Sequence, residues 1–144
     1  MRVDFYQLSR DPAESAISRL VARARQAGER VLVVSSDEAQ LGRIGDALWE
    51  RTEAFLAHGR AGETHAARQP VLLSPRCEAE NGAGLVAFAD GQWRDEGFAF
   101  ERALLFFGEA GIEDARAVWR MLGEREDVER RFWKQEGGKW VEGP

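Results

Sequence analysis

Only one cysteine, Cys77, occurs in the 144 residues. An internal disulfide is therefore excluded, and with it the stapled framework of small secreted domains. A reducing compartment, or indifference to redox state, follows. No stretch approaches the roughly eighteen consecutive apolar residues of a membrane-spanning helix. No cationic segment followed by a long apolar run opens the chain, so no signal peptide is expected. The expected setting is the cytoplasm, away from membranes. An excess of positive charge is also missing: Lys and Arg total 20 against 25 Asp and Glu, a formal net charge of −5. Proteins that grip phosphates carry a basic domain or a basic stripe. Tight direct binding of nucleic acid is thus not expected, while a partner that touches nucleic acid on this chain's behalf stays open. The glycines of a dinucleotide fingerprint and the Gly-Lys pair of a phosphate loop are absent as well.

What is present is an ordinary globular composition, 44% hydrophobic and 31% charged, in a length that suits one domain over residues 1–144. Val3 to Tyr6 alternates and predicts a short strand. Asp11-Pro12-Ala13-Glu14 predicts a helix start, with Asp11 as the capping side chain, proline in the first position and a carboxylate in the first turn. Ala13, Ile17, Leu20, Val21 and Ala24 recur at helical spacing, and Gly28 is a C-cap. Val31 to Val34 is a continuous apolar run between two helices, the pattern of a buried parallel strand. Ser36-Asp37-Glu38 opens a second helix whose stripe is Leu41, Ile44, Gly45 and Leu48, ending near Trp49. Strand, helix, strand, helix is the beginning of an α/β sheet, with a right-handed crossover from the first strand to the second.

Residues 57–69 have no period and predict a loop. Pro70 to Ser74 and Leu85 to Phe88 predict two further strands, with a turn-rich loop from 75 to 84. Phe100 to Phe107 fits a strand or a helix; a strand with a helical lead-in is the reading adopted. Glu109 to Arg125 predicts a helix with Ile112, Ala115, Trp119 and Leu122 on one face. Arg131 to Gln135 alternates, and Gly137-Gly138 before Lys139-Trp140-Val141 predicts a closing hairpin. The expected fold class is α/β: a single domain, mostly parallel sheet with helices on both faces, Rossmann-like but without a nucleotide fingerprint.

Few residues offer chemistry. Ser35 to Glu38 lies where a strand meets a helix, the place where such folds bind ligands. A small-molecule or nucleotide-binding protein using the crevice near Ser36 is therefore the alternative function. Asp37 and Glu38 put negative charge where a phosphate would sit, which favours ordinary capping. His58 and His65 lack the ligand spacing of a zinc site. Pro75-Arg76-Cys77-Glu78 resembles no nucleophile motif, and Glu78 disfavours a thiolate. No catalytic residue, no metal and no cofactor is expected. Five tryptophans are many for this length; Trp49, Trp93 and Trp140 fall near element ends, as rim packing or as partner contacts.

The most informative stretch is Ala115 to Arg120, followed by Phe132-Trp133-Lys134. Arg116 and Arg120 stand one helical turn apart and bracket an aromatic, a small cationic spot with an apolar floor. It suits an acidic peptide ending in a hydrophobic residue better than a metabolite. Periodicity alone gives the plainer reading of a solvated helix face, with Glu113 paired to Arg116.

Along most of its length the chain resembles the chi subunit family of the bacterial DNA polymerase III holoenzyme. The resemblance rests on Phe5-Tyr6, Arg30-Val31-Leu32-Val33, Asp46-Ala47-Leu48-Trp49, Phe55, His58, Ala61-Gly62-Glu63, the strand from Pro70, Ala115-Arg116 with Trp119-Arg120, and Trp133-Lys134. It implies a non-catalytic accessory subunit of the clamp-loader assembly. Two partners are implied: the acidic C-terminal tail of single-stranded DNA-binding protein, and the psi subunit. Association with single-stranded DNA would be indirect. Arg116 matches the family's tail-binding arginine, Trp119 stands where the family has an aromatic, and Arg120 is the next basic residue. The psi contact, by resemblance, uses the region around Trp49 and Phe55. The loop from 59 to 69 departs from the family. So does Ile112, which replaces a basic residue one turn before Arg116; Arg130, Arg131 and Lys134 are the candidates to compensate.

Overall fold

The computed structural model describes residues 1–51, 56–137 and 139–143. Among these residues eight strands form one sheet, in the order β3-β4-β2-β5-β6-β1-β7-β8. The strands are β1 (Arg2–Gln7), β2 (Val31–Val34), β3 (His58–Arg60), β4 (Val71–Ser74), β5 (Leu85–Phe88), β6 (Arg102–Phe107), β7 (Glu129–Glu136) and β8 (Lys139–Glu142). Every neighbouring pair is parallel except β7 and β8, which close as an antiparallel hairpin. Three α-helices among the described residues cover the sheet: α1 (Ala13–Gln26), α2 (Glu38–Trp49) and α3 (Ile112–Gly123).

Alternation along the strands divides the core in two. Tyr6, Val31, Val33, Val71, Leu73, Ala87, Leu104 and Phe106 pack under α1 and α2. Val3, Phe5, Leu32, Val34, Leu72, Phe88, Leu105 and Phe107 pack under Ala115 and Leu122 of α3. Helices thus lie on both faces, as the apolar strands demand: β2, β4 and β5 are buried along their whole length, the property of central parallel strands. β1 and β2 are parallel members of the sheet, but β5 and β6 lie between them. β1 is placed instead against β6 and β7, so residues far apart in sequence meet there.

Two local expectations are corrected. Asp11 does not cap α1. Pro12 takes the cap position without a side-chain bond, and the Asp11 carboxylate is drawn to Arg19 (2.6 Å) and Gln135 (2.8 Å). Residues 57–69 are not all loop. His58–Arg60 forms the edge strand β3, aligned with Val71 to Leu73 of β4. Three residues are too few to show a period, and Gly59 is required where the Gln69 side chain crosses it: a Cβ there would stand 2.8 Å from its Cγ. The C-terminus of α1 ends as expected. Gly28 adopts φ 78°, and Glu29 N–H reaches Ala24 O while Gly28 N–H reaches Arg25 O, the paired bonds of a Schellman cap.

Candidate functional site

α3 begins after a short 3-10 turn, Glu109–Gly111, and lies over the Phe5 face of the sheet. Its amphipathic pattern buries Ala115 and Leu122 and leaves Trp119 half-buried. Beside Trp119 the helix does not close fully on the strands, and a pocket of about 230 Å³ remains. Phe5 of β1, Phe107 of β6 and Phe132 of β7 line the strand side; Ile112, Ala115, Arg116 and Trp119 line the helix side. The indole meets Phe5 edge-on at 5.1 Å and Phe132 at 6.2 Å between ring centres. The pocket is thus an aromatic cup with one guanidinium on its rim.

That guanidinium, Arg116, is 64% exposed, and among the described residues it bonds only its own helix neighbour Glu113, at 2.9 Å. Glu113 is itself 82% exposed, and an exposed pair of this kind is worth little, about 0.3–0.5 kcal/mol. An incoming carboxylate can take its place at low cost. Arg120 is exposed on the same helix but does not line the pocket. Arg130 crosses from β7, places its guanidinium 4.2 Å from the Trp119 ring centre and donates to Trp119 O at 2.5 Å. Gly123 leaves it room, since a Cβ there would stand 2.7 Å from Nη1. The three proposed compensating residues therefore separate. Arg130 joins the site by backing the indole. Arg131, one residue on, turns to the other face and pairs with Glu129 at 3.0 Å. Lys134 is exposed.

Trp49, at the end of α2, is 61% exposed, and its ring lies tilted against His58 at 4.8 Å. It is far from the pocket in the sheet order, on the β4 side of the molecule, where α2 packs. Phe55 lies outside the described residues.

The donors near Ser36 are engaged by the chain's own acids. Asp90 accepts from Ser36 N–H (2.9 Å), Ser36 Oγ (3.0 Å) and both terminal nitrogens of Arg94 (2.7 and 2.8 Å). Burial pushes the Asp90 carboxyl up, but these donors outweigh it and hold it below the ordinary range. Asp37 caps α2 through Ala39 and Gln40 N–H. The donors that would receive a phosphate are occupied by carboxylates, so ordinary capping is what the structure has. His58 Nδ1 lies 2.8 Å from Leu56 O, and His65 is exposed. Cys77 is buried, and burial pushes its thiol up to about 11, which leaves little thiolate. Among the described residues, no three of His, Cys, Asp and Glu come together to hold a metal ion. Among the described residues, no helix is long and apolar enough to cross a membrane.

The family described as DNA polymerase III chi subunit, HolC, matches residues 1–129 by its sequence pattern. The chain belongs to the chi subunit family of DNA polymerase III. The DNA polymerase III subunit chi of Escherichia coli (strain K12) is 35% identical over 78 residues, covering 49% of this chain and 53% of that protein. The chain thus spans about half the length of the curated relative it matches. The aromatic cup was not legible in full: Arg116 and Trp119 are one turn apart on a helix, whereas Phe5, Phe107 and Phe132 are brought in by strand order.

Proposed function

We propose that this chi-family chain is a non-catalytic accessory subunit of the replicative polymerase's clamp-loader assembly, working in the cytoplasm as one domain over residues 1–144. It binds the acidic C-terminal tail of single-stranded DNA-binding protein in the α3 pocket. Through that partner it associates indirectly with single-stranded DNA. One observation carries this reading: a weakly held arginine stands at the mouth of an open aromatic cup. Arg116 holds the terminal carboxylate in a fork of two hydrogen bonds. Trp119, Phe5 and Phe132 receive the last apolar side chain, in the mode of C-terminal carboxylate capture. Arg120, outside the cup, faces the acidic residues upstream. Ile112 lines the pocket where the family has a basic residue, exchanging charge for apolar contact.

The exposed indole of Trp49 supports a second contact, with a psi subunit, since large exposed aromatics are characteristic of interfaces. Phe55 belongs to the same proposed contact. Many tails on one coated filament raise the effective concentration of the whole assembly, so each single contact can be weak.

Fluorescence anisotropy with a labelled tail peptide tests the assignment. Replacing Arg116 by alanine removes a charge-assisted bond of about 1.5–3 kcal/mol, and binding is expected to weaken about tenfold or more. The fold should be unchanged, because the side chain is exposed. Equal affinity of Arg116→Ala and the parent would refute the proposal.

A further inference from the structure

The opposite face of the same strands carries a second cleft, of about 320 Å³. It lies between the last turns of α1 and the β7–β8 hairpin, on the side away from the α3 pocket. Its floor is aromatic. Tyr6 and Trp133 are aligned on neighbouring strands with their rings within 13° of parallel. Trp140 of β8 stands across Tyr6 at 73°, with 5.0 Å between ring centres. Both indoles remain half-exposed. α1 borders the cleft through Leu20, Arg23, Ala24 and Ala27.

Three guanidinium groups line this cleft: Arg2, Arg102 and Arg23. Arg2 and Arg102 share the buried carboxylate of Asp4, at 2.9 and 2.8 Å, and Glu129, aligned with Arg2 on β7, acts on Arg2 as well. Arg23 projects from α1, exposed, and its guanidinium has no hydrogen bond or ion pair among the described residues. Glu29 is the acid in the lining, since Asp4 is buried beneath it. A planar apolar floor under a cationic rim is complementary to an aromatic ring that carries an anion. The volume is at the lower end for small-molecule sites, about 300–1,000 Å³. Indoles and guanidinium planes stack on bases, and guanidinium groups bind phosphates. A subunit of a DNA polymerase works among molecules of this kind.

We propose that the Tyr6–Trp133–Trp140 cleft binds a nucleoside monophosphate unit, its base on the indoles and its phosphate against Arg23, Arg2 and Arg102. The unit can be a free nucleotide or one residue of a single strand. Binding is weak and local, in keeping with a chain whose net charge is −5. It is independent of the α3 pocket.

The test is an NMR titration of the full chain, following the indole N–H signals of Trp133 and Trp140. Thymidine 5′-monophosphate is expected to shift both signals saturably. Arg23→Ala, an exposed and unpaired position whose loss spares the fold, should weaken that binding roughly fivefold or more, the loss of one charge-assisted contact. Arg116→Ala should leave it unchanged. A short oligothymidylate that binds tighter than the mononucleotide would make the single strand the source; equal or weaker binding would make it the free nucleotide. The proposal is overturned if neither signal shifts at millimolar ligand, if Arg23→Ala binds as the parent does, or if inorganic phosphate competes while thymidine has no effect.

Discussion

At the scale of single residues, Asp4 decides most. It is fully buried, yet it accepts from Arg2 Nε and Nη2 (3.0 and 2.9 Å), Arg102 Nε (2.8 Å) and Trp133 Nε1 (3.0 Å). Burial pushes its carboxyl up, but the bonds from Arg2, Trp133 and Arg102 outweigh it, and the group stays below the ordinary carboxylate range. The carboxylate thus ties β1 to β6 and β7, and its loss leaves two guanidinium groups facing each other. Asp4→Asn is expected to cost about 3–5 kcal/mol, as when one partner of a buried ion pair is removed; urea denaturation measures it. The pH dependence follows from the lowered value. The contribution is complete above the unfolded carboxylate range, near pH 4, and is lost as pH falls through the lower folded value. Melting temperature should therefore drop below about pH 4 more steeply in the parent than in Asp4→Asn, the variant having no carboxylate to protonate. Parallel pH profiles of the two would show that Asp4 is not held ionised. None of this is legible in the sequence, where Asp4 is one polar residue in an alternating strand.

At the scale of elements, the sequence was informative where burial alone sets the pattern and silent where the partner is distant. β2, β4 and β5 are short apolar runs because both faces are covered, and the three helices carry their own stripes. β3 has no such signature, being three residues of edge strand paired with residues thirteen positions on, as His58 with Val71. Asp11 has the local chemistry of a cap, yet a tertiary contact overrides it. The agent is Gln135 of β7, which is 4% exposed. Its Oε1 accepts from the N–H groups of Ser9, Arg10 and Asp11 at 3.2, 3.4 and 3.4 Å, and its Nε2 donates to Asp11. One side-chain amide thus organises the loop between β1 and α1. Gln135→Leu keeps the volume and removes the acceptor, leaving that turn's donors to be satisfied by water or not at all. Destabilisation of about 1–3 kcal/mol is expected, with amide hydrogen exchange at Ser9 to Asp11 accelerated more than in β2 or β5. Unchanged exchange at those three amides would remove Gln135 from this role.

At the scale of the whole molecule, a tail-binding role sets an acidic peptide against an acidic protein. The net charge of −5 repels the peptide at long range, while Arg116, Arg120 and Arg130 attract it within the width of one helix. Salt acts on both. The screening length is about 10 Å at 0.1 M and about 3 Å at 1 M, so the diffuse repulsion is largely screened at moderate ionic strength. The close contacts on an exposed rim weaken further only as salt rises beyond that. The expected salt dependence of tail binding is therefore shallow at low ionic strength and falls more steeply above about 0.1 M. It should lack the uniform steep decline of a basic surface that releases many counterions. Arg116→Ala should flatten the high-salt part, since the main contact being screened is gone. Anisotropy titrations at several salt concentrations, with parent and variant side by side, measure this. Affinity that is independent of salt in the parent would mean that the apolar cup alone holds the peptide and that the arginine on its rim contributes nothing to recognition.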